Sequence, residues 1–346
     1  MDLGVGIVGC GAIAQLHIDA FNQMEGVQIR AVSDAVKPVA ERVGAKLNVS
    51  AYGDYNEMLA RPDIDVVSIC TPSGLHQDIA LAAARAHKHV IVEKPLEVTV
   101  EKIDRIIETC KENGVTLASI FNNRYREGNR FVKRAIESGR FGSIISANAC
   151  VKWYRKPEYY ANSNWRGTWA IDGGGALMNQ SIHYLDLLLW FAGDVEAVKG
   201  YTATLLHKSI ETEDTAAATF KFKSGAIGSI VCGTSYYPGF PAVVEITGER
   251  GYAAVTDSGI AEWKFIDSDP MDEEAALYAE NGHDNARASD PMAFDSHYHR
   301  LQLENIISSI RSGIEPEVNG YEARKPVRVI RAIYESSRTG NEIVLD

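Results

Sequence analysis

The sequence predicts an α/β protein: a doubly wound parallel sheet at the N-terminus, then an α+β domain built on a large, mostly antiparallel sheet. Three observations carry this. Short apolar strands alternate with amphipathic helical stretches from residue 1 to about 121. Near residue 122 that rhythm gives way to long β-rich runs separated by turn residues. At 346 residues the chain is also long for one core, so two domains are expected, 1–121 and 122–346.

The elements follow in order. Gly4-Val5-Gly6-Ile7-Val8 reads as a buried strand, and Ala12 to Met24 has the apolar spacing of a helix (Ile13, Leu16, His17, Ala20, Phe21, Met24). Further strands are expected near 28–33, 64–70, 89–93 and 116–120, with helices near 36–47, 76–87 and 99–113. Such alternation implies right-handed β-α-β units. In the second half, helix 127–138 leads to β-rich runs at 143–153, 195–207, 213–222, 226–236, 241–247 and 251–266. Lys223-Ser224-Gly225 and Glu249-Arg250-Gly251 supply turns between them, the mark of an antiparallel sheet. A helix near 175–192 interrupts the sheet. Helices 296–312 and 321–338 close the chain, the last placed so that it could pack back on the first domain. The polar, acidic stretch 267–294, punctuated by Pro270, Gly282 and Pro291, reads as a surface excursion, with a lid or contact arm as the other reading. Helices 127–138 and 175–192 can cover one face of the sheet. The other face has few candidates within the chain, which suggests a second copy and hence a homodimer or homotetramer.

Composition excludes several classes. The formal charge of −11 repels nucleic-acid backbones and anionic membrane surfaces. No run approaches a membrane span, and the apolar N-terminus lacks a basic leader segment. Five scattered cysteines with no C-x-x-C fit a reducing compartment, so a cytoplasmic protein without disulfides or a zinc site is expected. His297-Tyr298-His299 has no adjacent third ligand, and no metal is expected there.

Gly9-Cys10-Gly11-Ala12-Ile13-Ala14 links the first strand to the first helix, and Asp34 ends the second strand 25 residues after Gly9. Glycines at 9 and 11 allow a tight turn and close approach to a pyrophosphate. Its charge would sit on the helix N-terminus beside Ala12 and Ile13, while Asp34 accepts from a ribose hydroxyl. A bare G-x-G-x-x-A is often only a tight turn, but the flanking strand, helix and acid point to a dinucleotide. Asp34 favours NAD, because a carboxylate repels a 2′-phosphate; Lys37 keeps NADP as the lesser alternative. Thr71, Pro72 and His76 follow the strand at 64–70 and would line the same crevice, with Ser73 as a helix cap. Glu93 and Lys94 end the next strand, ahead of Pro95. A lysine fixed there can hold a substrate hydroxyl and lower its pKa; otherwise it is an exposed strand-end lysine.

In Asp172-Gly173-Gly174-Gly175-Ala176, three glycines suggest a backbone packed very close to something. Asn179 and His183 follow four apart on one helix face, and Asp186 is placed to orient the imidazole. Histidine suits reversible removal of a hydroxyl proton near neutral pH; the plainer reading is a satisfied core histidine. Upstream, Trp153, Arg155, Tyr159, Trp165 and Arg166 form an aromatic, basic cluster. It suits either sugar C–H faces with a substrate acid, or a subunit contact.

With these residues assembled, the sequence resembles the Gfo/Idh/MocA oxidoreductases, the family of glucose–fructose oxidoreductase and inositol dehydrogenase. The resemblance rests on Gly9–Ala14, Thr71-Pro72, Glu93-Lys94-Pro95, Gly173–His183 and Gly320-Tyr321-Glu322-Ala323-Arg324. It implies a Rossmann domain followed by an open-faced mixed sheet that pairs into dimers or tetramers. It also implies Lys94 and His183 as the catalytic pair, and a cis Lys94-Pro95 peptide. Many inositol dehydrogenase-like members carry aspartate where this chain has Asn179. An amide orients a hydroxyl but takes no proton, so the base role falls on His183. The asparagine version is similar to members acting on nucleotide-linked uronic sugars. The expected activity is NAD-dependent hydride transfer from a secondary hydroxyl of a sugar, sugar derivative or cyclitol, or the reverse reduction. Arg155, Trp165, Arg166, Asn179 and His183 would meet the substrate. Two rivals stay open: an NAD-retaining glycosidase acting by transient oxidation, and a non-catalytic NAD-binding regulator.

Overall fold

In the computed structural model, which describes residues 2–280, 286–289 and 296–345, the chain forms two compact units. The first comprises residues 1–122 and 295–324, the second residues 123–294 and 325–346. Six strands build the first unit: β1 (Leu3–Val8), β2 (Val27–Ser33), β3 (Ser50–Tyr52), β4 (Val66–Ile69), β5 (His89–Val92) and β6 (Leu117–Ser119). All pair in parallel, in the order β3-β2-β1-β4-β5-β6. The order reverses between β1 and β4, and ligands of such sheets bind beyond the strand ends at that point. Val5, Ile7, Val66, Val67 and Ile91 are fully buried or nearly so, as strands covered by helices on both faces require. Strand β3 and the short helix Tyr55–Leu59 were not expected. Three and five residues are too few to show a period.

The helix Ser296–Ser312 lies where the periodicity predicts it, yet it belongs to the first unit rather than to an uninterrupted 122–346 domain. Leu303, Ile306 and Ile307 join the core of Ile18, Phe21 and Val27. An amphipathic stripe states that a face will be buried, not which core will bury it. The long helix Gly320–Thr339 starts in the first unit, where Arg324 pairs with Asp104 and Gly320 sits against Ile107 and Leu117. From Lys325 onward it belongs to the second unit, where Ser336 Oγ accepts from the Gly200 amide at 3.1 Å.

The second unit holds β7 (Ile144–Lys152), β8 (Val195–Ala203), β9 (Thr215–Phe222), β10 (Ile227–Gly233), β11 (Val243–Gly248), β12 (Gly251–Thr256), β13 (Gly259–Phe265) and β14 (Ile343–Val344). Their order is β13-β12-β11-β7-β10-β9-β8-β14, antiparallel except for the parallel pair β7–β10. The expected single run 251–266 is two strands, folded back at Gly259 with φ +136°. Alternation sorts the faces. In β9, Ala216, Ala218, Phe220 and Phe222 are buried, while Ala217, Thr219 and Lys221 are exposed. Helix Ile182–Ala192 packs on β7 and β11. Cross-strand neighbours Lys199, Thr219, Ser229, Asn148 and Glu245 line the other face, which also carries the exposed Tyr201 and Ile227. Within 267–280 the chain is docked, not loose: Asp272 accepts from Trp263 Nε1 at 2.8 Å and from Arg140 at 3.0 Å. The remainder of the expected excursion lies largely outside the described residues.

Candidate active site

In the first unit, the turn after β1 is built as a phosphate cradle. Gly9 has φ +90°, and a Cβ there would lie 2.7 Å from the Cys70 carbonyl. No side chain caps the helix Ala12–Phe21, and a Cβ on Gly11 would meet nothing within 4 Å. The first-turn amides therefore face open space, with Ala12 exposed and Ile13 half-buried. Asp34 stands beside this turn. Its carboxylate accepts from Cys10 N–H at 2.9 Å and Val36 N–H at 2.8 Å, which fixes it with lone pairs to spare for a ribose hydroxyl. Cradle and acid fit a dinucleotide with a free 2′-hydroxyl. Exchange of Asp34 for Ala is expected to lower the ratio of kcat/KM with NAD to that with NADP at least ~10-fold, since a charged hydrogen bond contributes about 1.5–3 kcal/mol. Damage to the turn would affect both cofactors alike, so an unchanged ratio would sink Asp34 as the selector.

Thr71 and Pro72 leave β4 at the crevice, both half-buried. Ser73 does not cap the following helix as expected; it sits buried in a 3₁₀ turn, Ser73–Leu75. His76 is also corrected. It is fully buried, with Nδ1 2.9 Å from the Pro95 carbonyl and Nε2 3.0 Å from the Thr71 carbonyl. A neutral ring can donate to only one of these carbonyls, and the buried ring lies between two crevice loops instead of reaching a cofactor. Glu93 is buried too. One oxygen lies 2.9 Å from His17 Nε2 and 3.4 Å from His299 Nε2; the other accepts the Lys94 amide at 3.1 Å. Burial raises its pKa, but the two imidazoles outweigh burial and hold it well below the usual carboxylate range. Glu93 therefore anchors the backbone of Lys94, which is itself half-buried and joined to Pro95 by a cis peptide, as the resemblance implies.

The sequence places His17 on the apolar face of the first helix and gives neither it nor His299 a role beside Glu93. Ser68 Oγ holds His17 Nδ1 at 2.8 Å, and Asn122 Nδ2 lies 2.8 Å from His299 Nδ1. The donor atoms of His17, Glu93 and His299 all lie within 4.8 Å of one another, a set with metal-ligand chemistry. The 2.9 Å separation between His17 and Glu93 is that of a hydrogen bond.

In the second unit the three glycines do pack against something. Gly173 has φ +77°. A Cβ on Gly174 would lie 2.1 Å from Tyr334 Oη, and one on Gly175 would lie 1.8 Å from the Glu213 carbonyl oxygen. A turn of π-helix, Ala176–Ser181, follows and leads into Ile182–Ala192. Asn179 and His183 are half-exposed along a segment whose other residues from 176 to 189 are buried. Asn179 Nδ2 donates to Asp172 Oδ1 at 2.7 Å, and Asp172 Oδ2 accepts from Gly167 N–H at 2.8 Å. The amide is therefore oriented before any substrate arrives.

Asp186, the expected orienter of the imidazole, is fully buried and takes a two-pronged pair of hydrogen bonds from Arg124, at 2.8 and 2.7 Å. Arg155 is corrected as well. It is buried, stacked 4.9 Å from the Trp153 ring centre, and donates to the Tyr154 and Ala288 carbonyls, so it braces the loop. Arg166 differs in exposure. It is half-buried and stacks 4.5 Å from Tyr159 and 5.2 Å from the half-buried Trp165. Gln180 donates to the Tyr159 hydroxyl at 3.2 Å. Arg166 and Trp165 keep the features of a substrate-facing pair.

Comparison with known proteins agrees with both halves. The model of the oxidoreductase family with an NAD-binding Rossmann fold (Gfo/Idh/MocA) matches residues 3–121, and the model of its C-terminal domain matches 129–254. A crystal structure of the WlbA dehydrogenase from Bordetella pertussis, in complex with NADH and UDP-GlcNAcA, is 36% identical with a TM-score of 0.92. That match covers 100% of this chain and 98% of the other. The uncharacterized oxidoreductase YrbE of Bacillus subtilis is 30% identical over 261 residues, 73% of each protein. Myo-inositol 2-dehydrogenase of Thermotoga maritima is 26% identical over 327 residues, 92% of each.

Proposed function

The chain belongs to the Gfo/Idh/MocA family of NAD-binding oxidoreductases, the sugar and cyclitol dehydrogenase type, and from that premise we propose that it oxidises a secondary hydroxyl of a nucleotide-linked uronic sugar. One observation carries the reading. In a single unit, an imidazole (His183) and a preoriented amide (Asn179) are the half-exposed positions of an otherwise buried segment, and a half-buried arginine, Arg166, stacks on Tyr159 and Trp165. The first two suit an alcohol; the third suits an acid. The full-length likeness to a dehydrogenase crystallised with UDP-GlcNAcA supports the acidic class.

NAD, when bound, supplies the hydride acceptor. His183 takes the hydroxyl proton, and Lys94 donates to the same oxygen and stabilises its developing negative charge. Asn179, held by Asp172, fixes the hydroxyl and carries no proton away. Arg166 grips the carboxylate, its stem and plane spread over Tyr159 and Trp165.

The test is a panel of UDP-linked uronic sugars, their neutral UDP-linked counterparts and free inositols, each with NAD, followed by NADH absorbance. NADH should form fastest with a UDP-linked uronate, and Arg166→Met should raise KM for that sugar far more than for its neutral counterpart. NADH with inositols alone would sink the substrate class. Free sugar released without net NADH would establish the glycosidase rival, and no turnover of any member the regulator.

A further inference from the structure

Glu213 accounts for an unusual run of backbone contacts. Three consecutive amides at the start of the π-helical turn all end on this one residue. Gly175 N–H donates to Oε2 at 2.9 Å, Ala176 N–H to the main-chain carbonyl at 3.0 Å, and Leu177 N–H to Oε1 at 2.8 Å. Tyr334 adds a fourth donor, its hydroxyl lying 3.0 Å from Oε1. The amides that open a helix have no partner inside it, and a mobile end is the ordinary result. Here they are gathered by a buried carboxylate from the strand connection before β9. Gly174 and Gly175 let the backbone come this close, since a Cβ on either would overlap Tyr334 Oη or the Glu213 carbonyl.

We propose that Glu213, braced by Tyr334, is a positioning residue for Asn179 and His183, and that its ionised carboxylate is the form that holds them. Both side-chain oxygens accept in every contact they make. Protonation sets an O–H against the Gly175 amide or turns the Tyr334 hydroxyl from donor to acceptor, and an amide side chain sets an N–H against the Gly175 or Leu177 amide permanently. The turn that loses its anchor is the one on which Asn179 sits, two residues beyond Leu177. Burial pushes Glu213 up to about 7, against the pull of the Leu177 and Gly175 amides and of Tyr334. Among the described residues, the titratable groups that bear on it, Tyr334 from helix Gly320–Thr339, Cys232 from β10 and Tyr160 from helix Pro157–Ala161, are neutral acids that burial, in each case the first cause, pushes upward. Asp214, the next residue, turns its carboxylate to the amides of Leu205, Leu206 and His207. The anchor is therefore complete above about pH 7 and is lost as the pH falls through that value.

The inference rests on the proposed roles of Asn179 and His183, so its test has one arm that needs no turnover. In Glu213→Gln, amide hydrogen exchange at Gly175, Ala176 and Leu177 should rise at least ~10-fold while β1 to β6 stay protected, and kcat should fall about 10- to 100-fold with KM for NAD unchanged. Tyr334→Phe keeps the ring and removes one donor. It should move the acid limb of the kcat profile to higher pH, a shift that loss of packing alone does not produce. Unchanged exchange in Glu213→Gln, or an acid limb unmoved in Tyr334→Phe, overturns the proposal. Should Glu213→Gln fail to fold, the Tyr334→Phe profile decides. Fast exchange in a protein that oxidises no sugar would uphold the anchor and remove the dehydrogenase reading instead.

Discussion

Lys94→Met is expected to reduce kcat by about 10³-fold while leaving the dissociation constant for NAD within a factor of two. A positioned proton donor or acceptor contributes on the order of 10²–10⁴ in rate. Methionine keeps the length and apolar stem of lysine and removes only the ammonium. The backbone at this position is held independently of the side chain: Glu93 accepts the Lys94 amide, and His17 and His299 hold Glu93. The cradle at Gly9 and Gly11 and the carboxylate of Asp34 are untouched, so cofactor affinity, measured by fluorescence titration, reports an intact first unit. Activity within tenfold of the parent would remove Lys94 from the chemistry.

The largest loss of stability is expected from Arg124→Met. Arg124 and Asp186 are both buried, at 3% and 0% side-chain exposure, and joined by two short hydrogen bonds. Methionine fills part of the space beside Trp190, over which the guanidinium lies 5.5 Å from the ring centre, but leaves a carboxylate in the core without its cation. Breaking one side of a buried pair costs about 3–5 kcal/mol, far more than the pair itself contributes relative to an apolar replacement. The effect should reach activity as well, because Asp186 lies one turn beyond His183 on the same helix. Chemical denaturation should show the loss, and Arg124→Met with Asp186→Leu should recover most of it. A double variant no more stable than the single one would show that the charge left behind is not the cause.

Much of the first half was legible because its signals are local. Gly9, Gly11 and Asp34 lie on three consecutive elements, and a parallel sheet leaves the chain little choice of order. The three glycines at 173–175 announced a close approach, and the structure supplies the object, Glu213 and Tyr334. Reading failed where a side chain's partner is distant in sequence. In sequence, Asp186 reads only against an imidazole three residues away; its pairing with Arg124, 62 positions earlier, is not foreseen. Glu213 is expected only as the first residue of the run 213–222; one of its partners is a tyrosine 121 positions later. Arg155 and Arg166 look alike in sequence, but one is buried and donates to two carbonyls while the other is half-buried against Tyr159 and Trp165.

By itself, the sequence determined that a dinucleotide cradle is followed by a mostly antiparallel sheet, that NAD is preferred, and which residue types stand ready for an alcohol. Those properties follow from backbone periodicity, from glycine's freedom at a few turns, and from the charge of one aspartate. Tertiary structure alone decided which carboxylates are anchors and which histidines are struts. It also decided that the helix Ser296–Ser312 completes the first core. The reason is that burial and pairing are properties of distant segments brought together: a charged group's role depends on what the fold sets against it, and no local pattern encodes that.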